Sequence, residues 1–171
     1  MAPIIYEMSV PVFIRGLENL DVVLKKAEQH CDEQKIDKEK FLTSKLAEDM
    51  KPLPFQIQSA SNTAKLSSVR CASIPNDPWE DTETTFPQLH ERIAKTIAFV
   101  KSVDAQKFEG VEGNAVVMKL PSTELKFTAL SYLQTFALPN FFFHSSMAYA
   151  ILRKEGVPVG KMDFLGASTG Q

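Results

Sequence analysis

The residues best able to do chemistry lie late in the sequence, in the stretch "PNFFFHSSMAYAILRKEG" at 139 to 156. Asn140 and His144 are four residues apart, which puts both side chains on one face of a helix. Imidazole titrates near neutral pH, so His144 is the candidate general acid or base, and a carboxamide beside it can orient a substrate. Two readings stay open. A buried imidazole satisfied by Asn140, Gln56 or a backbone carbonyl is a structural element of a core. The same residues on the wall of an apolar pocket make a small-molecule site. On an uninterrupted helix Tyr132, Phe136, Asn140, His144 and Ala148 share one side. The face count therefore gives Asn140, Tyr132 and Phe136 as substrate-binding residues. Pro139 disturbs the helical count on its N-terminal side. On this reading His144→Phe leaves the fold intact or more stable and abolishes ligand binding.

Other chemistry finds less support. The acidic residues Asp77, Glu80 and Asp81 match no calcium-loop spacing and read as part of a solvated loop, with Trp79 as an apolar plug. His90, beside Glu91 and Arg92, reads as a surface histidine. "GVPVGK" lacks the spacing and the Ser/Thr of a phosphate loop, and no GxGxxG, GxSxG or HExxH occurs. Ser145 and Ser146 read as small residues on a packed helix. Cys31 and Cys71 form no CxxC pair and read as reduced thiols of a cytoplasmic protein.

Composition narrows the function classes. The 171 residues suit one domain with a sizeable core, so a single domain over 1–171 is expected. The formal charge of −2, without long runs of either sign, argues against nucleic acid or a membrane surface as partner. No apolar run approaches the roughly 20 residues of a membrane-spanning helix.

Apolar periodicity predicts the elements that must position the site. Phe13, Leu17, Leu20, Leu24, Ala27 and Cys31 make one long helical stripe, for which Ser9 is the expected cap and Pro11 the first turn. A charged connection with a short helical piece follows. A second helix after "DMKPLP" faces inward through Leu53, Ile57, Ala60, Ala64 and Cys71, with Gln56 and Gln58 near its start. A third is capped at Thr84 or Thr85, with Pro87 in its first turn, and buries Phe86, Leu89, Ile93, Ile97 and Val100. The β-rich runs flanking "PSTE" predict a hairpin at about 115 to 128. A long helix from about Leu130 to Lys154 follows, broken near Pro139 and stopped at Gly156. Four amphipathic helices must pair their stripes, so the expected fold is all-α, a four-helix bundle with a small β-hairpin between the third and fourth helices.

The stretches "SVPVFIRGLENL", "LAEDMKPLPFQIQSA", "TTFPQLHERIAKTIAFV" and "LPNFFFHSSMAYAILRKEGVPVGKMDFLG" resemble an uncharacterised bacterial and fungal family of the DinB/YfiT-like superfamily of metalloenzymes. The resemblance covers nearly the whole chain. It implies a DinB/YfiT-like four-helix bundle, often dimeric, with a pocket near one end. It also implies a divalent metal, usually nickel or zinc, on one histidine of the second helix and two of a later HxxxH pair, with some members acting as thiol-dependent transferases or isomerases. This chain departs from the pattern. Asn140 stands in the first position of HxxxH, and Pro52 to Cys71 contains no histidine, with Gln56 or Gln58 at about that ligand's place; Gln56 is the first choice to join Asn140 and His144 as a substrate-binding residue in a closed pocket at one end of the bundle. One imidazole with carboxamides makes a weak first shell, so no metal and no other cofactor is expected; Asp49 is the one carboxylate that could rebuild the site, or else caps the second helix. The functional expectation is a small-molecule enzyme with a degenerate metal site and His144 as acid/base. The alternative is a non-catalytic dimeric bundle binding a small ligand or a protein partner.

Overall fold

The computed structural model describes residues 2–120 and 122–166; Pro121 of the predicted turn lies outside them. Helix α1, Ile4–Gln34, begins earlier than the sequence suggests. Pro3 is its N-cap and Pro11 sits inside it, while the Ser9 hydroxyl donates to the Ile5 carbonyl at 2.5 Å rather than capping. An interior proline removes one ladder bond and costs about 3 kcal/mol. Burial of Ile5 and Val10, both ahead of the proline, holds the added turns in place. The short α2, Lys38–Thr43, is capped by the Asp37 carboxylate, which accepts from the Glu39 amide.

Helix α3, Leu53–Cys71, buries Leu53, Ile57, Ala60, Ala64 and Cys71, as periodicity predicts. Asp49 is exposed and the N-cap, Pro52, receives no side-chain bond, so Asp49 neither caps α3 nor turns inward. Helix α4, Phe86–Ser102, opens with a capping box between Thr85 and Gln88. A 3-10 turn at Ala105–Phe108 leads to strands β1, Ala115–Lys119, and β2, Glu124–Thr128, paired antiparallel with Met118 opposite Leu125. Val116 and Met118 point inward and their neighbours outward, the period of a half-buried strand.

The last long helix is continuous but not uniform: α5, Ala129–Tyr132, then a π turn at Leu133–Ala137, then α6, Leu138–Lys154. Pro139 explains the interruption. It cannot donate to the residue four back and its ring crowds that carbonyl, so the preceding turn widens and the Leu138 amide reaches the Leu133 carbonyl instead. Gly156, at a φ of 92°, takes the left-handed conformation just beyond the C-terminus of α6. Helix α7, Lys161–Leu165, then packs on α1.

In the bundle α3 packs against α4 and α6, and α1 against both of these and α3, so α1 and α3 form the inner diagonal. Gly16 permits the close approach of α1 to α6, because a Cβ there would collide with the Phe141 ring. Phe141 also meets Phe13 edge-on at 5.1 Å. Cys31 and Cys71 are buried, and burial pushes the Cys71 thiol up to about 12, which keeps it protonated and unreactive. Among the described residues no helix is long and apolar enough to cross a membrane.

Two sequence expectations are corrected here. The loop between α3 and α4 is tied down rather than simply solvated. Buried Arg92 donates to Asp81 and Glu83, both at 2.8 Å, to Asn62 at 2.7 Å and to the Glu80 carbonyl at 3.0 Å. Lys65 reaches Asn76 at 3.0 Å and the Asp77 carbonyl. Trp79 packs edge-on to Phe99, with the Lys65 and Lys95 ammonium groups 4.4 and 4.1 Å from its ring centroid. His90, in turn, is half-buried between α4 and α1, with Nδ1 2.5 Å from Asp21 and Nε2 3.5 Å from Glu28.

Candidate functional site

Three polar rungs cross from α3 to the last helix. Gln56 meets His144, with Gln56 Oε1 2.8 Å from His144 Nδ1. Asn140 Nδ2 donates to Thr63 Oγ1 at 2.8 Å, and Arg70 Nη1 donates to the Tyr132 hydroxyl at 2.8 Å. Gln56, Thr63 and Arg70 follow at steps of seven, two helical turns each, so one edge of α3 carries all three. Their partners descend in number as these ascend, so the two helices run antiparallel. The π turn lies between Tyr132 and Asn140, and Tyr132, Phe136, Asn140 and His144 still line one groove against α3.

That groove has a volume of about 210 Å³ and is open to solvent along its length, not the closed pocket expected from sequence. Gln56 stands behind it, supporting His144 rather than lining the wall. Tyr132 is fully buried and stacked on Phe136 at 5.9 Å. Leu66 and Met118 complete an apolar middle. Gln58, the other glutamine considered for this place, faces the α4 side and donates to Glu83.

The hydrogen bonds fix the state of the imidazole. Buried Gln56 gives its Nε2–H to the Lys51 carbonyl at 2.9 Å, which turns Oε1 toward His144 and makes His144 Nδ1 the donor. Nε2 then carries the lone pair, and no described residue hydrogen-bonds to it. Burial lowers the His144 pKa below its ordinary value, because desolvation penalises the imidazolium, so the ring is neutral at pH 7. Phe55 and Phe143 flank it edge-on at 5.9 and 5.2 Å. What results is a fixed, unprotonated nitrogen in a half-buried setting, able to take a proton from a bound molecule. The bond to Gln56 also revises the expected outcome of His144→Phe, which would strand a buried carboxamide oxygen.

The donor set does not fit the metal that the resemblance implies. His144 Nε2 is one ligand; the neighbouring Asn140 adds at most a neutral carboxamide oxygen, Gln56 faces Nδ1, and Asp49 is on the surface. Among the described residues no three His, Cys, Asp or Glu side chains converge on a point. Such a set lacks the imidazoles, thiolates or carboxylates of a tight transition-metal site.

Thr63 and Arg70 escape sequence inspection, which followed the apolar stripe of α3. Their signal is the seven-residue spacing from Gln56, a polar edge on a helix otherwise read for its core.

Comparison with known proteins agrees with this architecture. A crystal structure described as a DinB family member protein from Shewanella denitrificans superposes with a TM-score of 0.82 at 33% identity, covering 94% of this chain and 91% of that one. No curated protein matches. Residues 5–165 match the family model described as a domain of unknown function, DUF1993. The chain therefore belongs to the DUF1993 family, and its fold is the DinB-like four-helix bundle with a hairpin before the last helix.

Proposed function

We propose that this protein is a small-molecule enzyme whose groove between α3 and α6 holds the substrate while His144 acts as general base without a metal. The supporting observation is the neutral imidazole held through Nδ1 by Gln56, leaving Nε2 toward the groove. Asn140, with its carbonyl oxygen uncommitted, orients the bound molecule, and Phe136 supplies apolar contact. Tyr132 supports the Phe136 ring and the far end of the groove. Diethyl pyrocarbonate, which acylates accessible unprotonated imidazole nitrogens, provides a test that needs no known substrate. At neutral pH, His144 should be modified faster than His90, as read by peptide mass spectrometry. Protection of His144 in the native protein, with modification only after unfolding, would sink the proposal.

One observation favours binding without turnover. The groove's hydroxyls at Thr63 and Tyr132 are already engaged in hydrogen bonds, and its lining, among the described residues, offers no carboxyl group to serve as partner acid. A ligand recovered chemically unchanged after long incubation would select this reading. A homodimer belongs to the same proposal: Phe143 is 52% exposed and Phe142 39% exposed, beside one another on α6. A monomer by sedimentation at micromolar concentration would remove that part.

A further inference from the structure

Arg70 sits at the other end of the groove from His144, and its bonding is incomplete. Nη1 donates to the Tyr132 hydroxyl at 2.8 Å, and the guanidinium carbon lies 5.5 Å from the Tyr132 ring centroid. These contacts hold the fork in place. Nε and Nη2, the two donors along its opposite edge, reach no described residue, and among the described residues no carboxylate pairs with Arg70. Arg92, only a helix away, has two carboxylates. Among the described residues the lining of the groove contains no Asp or Glu, and Arg70 is its one formal charge, within a chain of net charge −2. A half-buried cation in a groove cleared of anions, with two parallel donors unspent, matches the two oxygens of a carboxylate. Between Arg70 and His144 the walls are Leu66, Met118 and Phe136.

We infer that the groove takes an organic carboxylate with an apolar body, the carboxylate on the Nε/Nη2 edge of Arg70, the body across Leu66, Met118 and Phe136, and the far end toward Asn140 and His144. This deepens the reading of the groove as a small-molecule site by naming the ligand class, and Arg70 as the anion seat.

Calorimetric titration of the full chain with hexanoate, hexanamide and inorganic phosphate tests it. Hexanoate should bind about tenfold or more tightly than hexanamide, the size of a charge-assisted bond. Phosphate, lacking the apolar body, should bind more weakly than hexanoate. Arg70→Gln should lower hexanoate affinity to that of the amide, while Arg153→Gln, which removes an exposed cation outside the groove, leaves it unchanged. Equal affinity for acid and amide, or no hexanoate binding, overturns the carboxylate assignment and leaves His144 to its own chemical-modification test. Phosphate binding as tightly as hexanoate overturns the apolar body. Hexanoate affinity unchanged in Arg70→Gln, or lowered as much in Arg153→Gln, overturns the seat. Should Arg70→Gln fail to fold, the acid–amide comparison on the unaltered chain decides.

Discussion

The two flanks of α3 treat charge in opposite ways. Toward α4, Arg92 is buried with both terminal nitrogens engaged, shared among Asp81, Glu83, Asn62 and a carbonyl, and only its Nε lacks a partner among the described residues. Toward α6, Arg70 and His144 each keep an unspent edge and lie half-buried in an open groove. Burial alone would raise the Glu83 carboxyl, but the Arg92 hydrogen bond and charge outweigh it and bring the pKa below the usual value. Nothing comparable compensates His144, whose shift comes from desolvation. A network that pairs a buried cation with two carboxylates fixes a loop; polar groups left open in a groove can receive a ligand.

The contrast is most directly broken on the α4 flank. Arg92→Ala leaves two carboxylates without their cation and should cost about 3–5 kcal/mol in urea denaturation, with altered Trp79 fluorescence as the loop loosens. A loss as small as that of a surface substitution would show that the network does not fix the loop. On the α6 flank, His144→Phe strands Gln56 Oε1 and should cost about 1–3 kcal/mol, recovered in part by adding Gln56→Leu. If the single variant unfolds the chain and the second substitution does not help, His144 belongs to a wider structural network and the two flanks are alike.

A smaller effect sharpens the comparison through pH. Because burial depresses the folded pKa of His144 below the ordinary 6.5, the unfolded chain binds that proton more readily. The stability contributed by the neutral ring is fully present above about pH 6.5 and is lost as pH falls through the folded value. His144→Gln should flatten this segment of the stability profile. Glu83, with its lowered pKa, contributes stability that is lost at more acidic pH, as its own folded pKa is crossed. An unchanged profile in His144→Gln would mean the ring is not desolvated. The smallest effect expected is that of metal: zinc, nickel or a chelator should leave the melting temperature unmoved, since one imidazole with carboxamides is a weak ligand set. A rise on adding zinc that disappears in His144→Ala would restore the metal reading.

Much of the frame is legible in the sequence because burial writes itself as periodicity. Phe13 to Cys31, Leu53 to Cys71 and Phe86 to Val100 mark their helices without reference to partners, and Thr85 with Gln88 marks a start. Pro11 shows where local rules fail, since tertiary anchoring by Ile5 and Val10 overrides its preference for a first turn. The pair Asn140 and His144 is visible because a helical step of four is local. Gln56 is reached through the resemblance. Arg70 is not reached, because what distinguishes it is the absence of a carboxylate nearby, a property of three-dimensional neighbourhood. His90 is misread for the converse reason: its carboxylates, Asp21 and Glu28, lie on another helix.

The widened turn at Leu133–Ala137 has a consequence for how this fold can change over time. Each residue of an ordinary helix advances the chain by about 100° of rotation. Deleting one residue from the widened turn, the exposed Thr135 for instance, would favour an ordinary helical turn and swing Tyr132 and the attached hairpin round the axis by roughly that angle. Asn140 and His144, downstream, would keep their places on α6 against α3. One in-frame codon loss could thus exchange the upper wall of the groove, including its contact with Arg70, while leaving the histidine end untouched, so that the two ends can be inherited and altered as separate modules.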